Sequence, residues 1–177
     1  MTRYFGWTRL GARLGVVVGA IVVFQSALSF AQGPPAGRGH MGGDPGHVAD
    51  MGLIHELLDN GSRIQRTVTV RPDGVETLTE SDDPELAKKI RAHVDSMYDR
   101  VENVKPIHMR DPLFRAIFEH ASKIVMVREQ TAKGIKVVET STDPYVVKLI
   151  QAHAEVVSRF IENGRAEAMK NHEVPSR

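Results

Sequence analysis

The sequence predicts an α+β domain: two tandem α-β-β-α units about an internal pseudo-two-fold axis, with a four-stranded antiparallel sheet covered by helices. Three observations predict it. Residues 53–103 and 113–163 align without a gap at an offset of sixty, with 13 of 51 positions identical. A repeat of that length marks one structural unit used twice. Within each copy the apolar spacing runs helical, alternating, then helical again. The densest shared stretch, D-P-x-x-x-K-x-I-x-A-H at Asp83–His93 and Asp143–His153, opens with a helix cap both times.

Residues 1–31 have the layout of a Sec signal peptide. Arg3, Arg9 and Arg13 make a basic start, Leu14 to Phe24 an apolar run, and Ser29-Phe30-Ala31 a small-x-small site with cleavage expected after Ala31. That run of about 11 residues falls short of the roughly 20 that span a bilayer, so no membrane anchor is expected after cleavage. A periplasmic or secreted protein follows. The segment carries three Arg and no acid, so the formal charge moves from +1 to 1 − 3 = −2 on its removal. No basic face then remains to suggest nucleic acid. There is no Cys, which excludes disulfides, thiolate metal sites, iron–sulfur clusters and covalent c-type haem. The ligand inventory is His, Met and carboxylate.

Residues 32–49 are Gly- and Pro-rich and are expected as a flexible leader. Its His40, Met41 and His47, with Met51 just beyond, are either part of a solvated linker or a scavenger of soft metal ions. The single domain is expected over 50–164, as repeats 50–103 and 111–164. In the first, Leu53, Ile54, Leu57 and Leu58 make a helix ending at Asn60-Gly61, and Ile64–Val70 and Val75–Ser81 flank a Pro72-Asp73-Gly74 turn. In the second, Asp111-Pro112 caps a helix carrying Leu113, Phe114, Ile117, Phe118 and Ala121. Its hairpin is Ile124–Glu129, Ala132-Lys133-Gly134 and Ile135–Thr140. Asp83-Pro84 and Asp143-Pro144 open the second helices as caps rather than catalytic acids. Residues 103–110 link the units, and 165–177 read as a polar C-terminal tail.

Chemistry is expected on those second helices. Their core-facing stripes read Leu86, Ile90, His93/Val94, Met97, Val101 and Val146, Ile150, His153/Ala154, Val157, Ile161. An imidazole in an apolar stripe is costly unless its nitrogens find partners. Four readings of His93 and His153 are open: hydrogen-bonded core residues, ligands for a transition metal or haem iron, an acid–base pair, or a pH-sensing pair. Met97, four residues after His93, shares its helical face. His120 ends a helix, either facing the same centre or stabilising the helix C-terminus as a cation. His55 is read as surface, His108 as linker and His172 as tail. Ser62 and Ser122 read as turn residues. H-E-x-x-H, G-x-S-x-G, phosphate-loop and dinucleotide patterns are absent, so no motif points to an enzyme.

Along Val75–Thr77, Glu80–Pro84, Arg110–Phe114 and Tyr145–Val157 the chain resembles a group of small exported bacterial proteins of unknown function. The resemblance spans roughly 50–164 and implies no activity, cofactor or site residue. The leading expectation from the residues is an exported protein binding copper or haem through His93 and His153, with His120 and Met97 as further metal ligands. The alternative is a cofactor-free module that binds another envelope protein. A third is a small hydrolase or isomerase with one of these histidines as base.

Overall fold

The computed structural model describes residues 45–177. The expected signal peptide and the leader up to residue 44 lie outside the described residues. From Pro45 the chain is helical, so residues 45–49, expected in the leader, belong to the first helix. The elements are α1 (Pro45–Asp59), β1 (Gln65–Arg71), β2 (Gly74–Glu80), α2 (Pro84–Glu102), α3 (Pro112–Glu119), β3 (Val125–Gln130), β4 (Gly134–Thr140) and α4 (Pro144–Ala168). Short 3₁₀ turns at Gly61–Arg63 and Ala121–Lys123 lead into β1 and β3. The fold is α+β: four helices and one antiparallel sheet of order β1-β2-β4-β3.

Capping follows the sequence closely. Asp83 accepts from the backbone N–H of Glu85 and Leu86, Asp111 from Leu113 and Asp143 from Tyr145, each just ahead of a proline at the first helical turn. Such a cap contributes about 1 kcal/mol. Ser81 and Ser141 lock the entry by accepting from the N–H of Asp83 and Asp143. Arg63 pairs with Asp83, and Lys123 pairs with Asp143 at 2.7 Å.

The sheet buries one face. Val75, Thr77 and Thr79 of β2 lie opposite Glu139, Val137 and Ile135 of β4. Onto this face α4 packs Val146, Ile150 and Ala154 against Val75, while α2 packs Leu86 and Ile90 against Ile135 and Val137. A third cluster joins Leu113, Ala116 and Ile117 of α3 to Leu149 and Val156 of α4. On the other face Thr67, Thr69, Val125 and Val127 are exposed.

Gly74 and Gly134, expected as turn residues, begin β2 and β4. They lie where the hairpins meet. A Cβ on Gly74 would sit 1.8 Å from the Glu139 carbonyl oxygen, and one on Gly134 would sit 2.0 Å from that of Thr79. The β2–β4 pairing converts into itself at an offset of sixty: Gly74↔Thr140 becomes Gly134↔Glu80, and Thr77↔Val137 lies at the midpoint. The hydrogen bonds Ser81 N–H to Lys133 O and Ser141 N–H to Asp73 O, both 2.9 Å, correspond in the same way.

The C-terminal region departs from the expected tail. α4 continues to Ala168 across a break at Gly164 (φ 59°), and the chain then folds back as a strap. Val174 packs on the Leu113–Leu149 cluster, Lys148 donates to the Ser176 carbonyl at 3.1 Å, and Arg177 lies 5.0 Å over the Tyr145 ring. Being polar is no obstacle to docking here, because His172 and Arg177 find partners in Asp111 and Tyr145.

Gly134→Ala is expected to cost about 3 kcal/mol or more, since backbone must move to admit the methyl group. Urea unfolding would show it as a lowered midpoint. Gly52→Ala, in α1 with nothing within 4 Å, should instead leave the midpoint unchanged or raise it.

Candidate functional site

The buried face of the sheet carries charge at its centre. Arg66 points inward from β1 beside Val68, and its Nη1–H donates to Thr79 Oγ1 at 2.7 Å. Glu139 points inward from β4, opposite Val75. Over them α2 and α4 bring His93 and His153. All four side chains are half-buried, so the centre is crowded but not sealed.

Electrostatics tie the group together. Burial pushes both imidazoles down to about 4. Asp50 of α1 opposes that shift at His93, while Arg66 reinforces it. At His153, Arg66 and then His93 reinforce it, and Asp111 opposes it. The two histidines are therefore neutral at pH 7 and close enough to feel one another's charge. Burial holds the Arg66 guanidinium below its usual range and the Glu139 carboxyl above its own, with each countering the other's shift. Asp50 is itself held by Arg100 Nε and Ser96 Oγ, both at 2.5 Å, which anchors α1 to α2.

Of the residues expected to form the site, His93 and His153 project from α2 and α4, and the charge of His93 is felt at His153. Met97 lies one turn beyond His93, half-buried. His120 stands apart: it ends α3, its Nδ1–H donates to the Ala116 carbonyl at 2.9 Å, and its ring lies edge-on to Tyr145. Among the described residues no hydrogen bond or ring contact joins His120 to either histidine, and no three His, Asp or Glu side chains form a preassembled metal site. The His93 Nδ1 and the Arg66 Nε are buried without a hydrogen-bond partner. Arg66 and Glu139 escape a motif search, yet they share strand parity with Ile64, Val68 and Ile135, Val137. Alternation alone carries that signal.

A second polar cluster sits where the strap meets α3. His172 donates from Nδ1 to Asp111 Oδ2 at 2.5 Å, and its Nε2 lies 3.3 Å from Glu167 Oε1. His108 lies 3.9 Å from the same Asp111 carboxylate and edge-on to Phe114. Phe114 in turn touches His153 and stacks on Phe160, and Phe160 touches His172, so a run of rings connects the two clusters. A cleft of about 430 Å³ lined by Arg159, Glu167, Lys170 and His172 opens beside the strap. His172 has no counterpart in the first repeat, and nothing around it in the sequence marks it as more than tail.

No family model, curated protein or solved structure matches this chain.

Because both imidazoles bind protons less readily in the folded state than the usual 6.5, the unfolded chain takes up more protons as pH falls from about 6.5 to 4, and stability should fall across that window. The urea midpoint is expected to drop on acidification there, and to drop less in the His93→Gln, His153→Gln double variant. Equal slopes would contradict neutral buried histidines. Separately, His172→Ala is expected to cost about 1–2 kcal/mol in thermal or urea unfolding, since the buried Asp111 carboxylate loses its imidazole hydrogen bond but keeps the N–H of Leu113.

Proposed function

We propose that this protein is exported by the Sec route, is related to the small exported bacterial proteins it resembles, and binds a soft transition-metal ion through His93 and His153. One observation carries the reading. Two half-buried imidazoles, one from each repeat, are held in the neutral form by burial, and the charge of His93 is felt at His153, which favours a shared soft metal ion. Met97 supplies a thioether one turn from His93. Two imidazoles and a thioether suit cuprous copper, and the positive charge of Arg66 beside them favours a monovalent ion over a divalent one. Haem iron, held axially by the same pair, is the other cofactor of matching chemistry. Acid–base catalysis by either histidine fits less well, because an imidazole titrating near 4 is a weak base at neutral pH. The sixty-residue repeat and the self-converting β2–β4 register support a duplicated domain with a pseudo-two-fold axis between Thr77 and Val137.

A different observation supports a second reading, an interaction module for another envelope protein. On the uncovered sheet face Val125 and Val127 are 59% and 61% exposed, with half-buried Val138 of β4 directly opposite Val127.

The test expresses the full chain and purifies it from the periplasm of cells supplied with copper, iron and haem. The expected product starts at Gln32 and carries about one copper per chain, and His93→Ala, His153→Ala loses the copper while keeping its circular dichroism. A Soret band abolished by the same substitutions would assign haem instead. Metal retained by the double variant, or none bound by the wild type, would overturn the site.

A further inference from the structure

We propose that β1 is an open edge along which two copies of this protein pair, antiparallel and centred on Val68, so that the four-stranded sheet is doubled. The phase of the hydrogen bonds shows which groups are free. Ser81 N–H binds Lys133 O and Ser141 N–H binds Asp73 O, so the odd-numbered residues of β2 bond towards β4. In an antiparallel sheet the direction alternates along a strand, and the even-numbered residues, Gly74 to Glu80, bond towards β1. Their partners there are Arg71, Thr69, Thr67 and Gln65. The backbone N–H and C=O groups of Arg66, Val68 and Val70 therefore point away from the sheet, and among the described residues no hydrogen bond reaches them. Such a row is a template for another strand, and edges are commonly blunted by charge, proline or a bulge. The middle of β1 has none of these: its register runs unbroken from Gln65 to Arg71, and Thr67 to Val70 carry no charge.

The repeat supplies the contrast. At an offset of sixty, Val68, Thr69 and Val70 become Arg128, Glu129 and Gln130 on the opposite edge. Arg128 is held by Asp95 at 2.7 Å and lies 3.8 Å over the Tyr98 ring, and Glu129 pairs with Lys136 at 2.7 Å. One edge is charged and the other open. Two open edges would let a sheet grow into a filament, whereas one open edge closes on a second copy through a two-fold axis. The strand is self-complementary in that arrangement. Val68 meets Val68, Thr67 meets Thr69, Arg66 meets Val70 and Gln65 meets Arg71, so no like charges oppose each other. All the free N–H and C=O groups of the three residues then find partners, and Val70, 68% exposed in one chain, lies against the Arg66 stem of the other. Other centres fit less well. Centring on Thr67 sets Val70 against Ile64, whose N–H is already given to Gly61 O, and centring on Thr69 sets Arg66 against Pro72, which has no N–H. The helices leave room, because α4 lies over β2. Its two copies would stand three strand spacings, roughly 14 Å, apart, against about 8–10 Å for helices in contact. The pairing needs neither a metal nor the outer-face valines, so it stands or falls separately from both functional readings.

The experiment expresses the full chain, strips the purified protein of metal, and measures its mass by sedimentation equilibrium through the micromolar to millimolar range. A reversible rise to twice the chain mass, and no further, is expected. Val70→Lys sets an ammonium against Arg66, and Val70→Pro removes an edge N–H without touching the β2 ladder. Each should weaken the dimer at least tenfold with circular dichroism unchanged. The equivalent changes on the other edge, Gln130→Lys and Gln130→Pro, should leave it intact. In a chain that has no Cys, the double variant Thr67→Cys, Thr69→Cys should oxidise to a covalent dimer, because the two positions oppose each other within disulfide reach. A monomer at every concentration would overturn the proposal, as would a dimer that survives both Val70 variants or is lost equally in the Gln130 variants. Association beyond two, or a dimer without the cross-link, would overturn the two-fold register.

Discussion

The rest of the molecule depends on how closely two hairpins approach at Gly74 and Gly134. At each point a backbone carbonyl of the opposing strand occupies the space a side chain would need. That contact joins two hairpins, each marginal alone, into a sheet with enough buried face to hold helices. It also sets where the helices lie. Because β2 and β4 are the central pair, α4 sits over β2 and α2 over β4, and the histidine in the middle of one helix comes within electrostatic reach of the other. The coupling of His93 and His153 is thus a consequence of strand register as much as of helix sequence.

Much of this is legible in the sequence, for identifiable reasons. Helices announce themselves through Asp-Pro caps, and strands through alternation. An internal repeat doubles every such signal, so the order of elements can be read twice and checked against itself. Identifying His93 and His153 needs only helical spacing. Placing Arg66 and Glu139 beside them needs the order of the strands, which no local pattern states. His120 shows the opposite hazard. Its sequence position is compatible with the centre, but a carbonyl four residues back holds one ring nitrogen. The tail was the least legible part. Its binding depends on Asp111, sixty-one residues before His172, and Asp111 already has a local explanation as a cap.

The centre is more interesting for its differences than for its repetition. His93 and His153 are the same in both halves, but Arg66 corresponds to Met126, Thr79 to Glu139 and Ile54 to Phe114. Two like histidines therefore meet unlike surroundings: one has Asp50 nearby, the other Asp111 and an aromatic ring. These asymmetric neighbours put the one cation, Arg66, against both histidines.

The strap carries a consequence for the birth of the protein. Its partners, Asp111, Lys148, Tyr145 and the Leu113 cluster, all precede it along the chain. During synthesis, the sheet and helices can assemble while the segment from His172 onward is still withheld. Asp111 then waits, buried on one side and without its imidazole. The last closure of the domain is thereby tied to release of its own C-terminal segment, so a chain interrupted before residue 172 leaves an acidic, incompletely covered end of α3 exposed to the proteases of its surroundings.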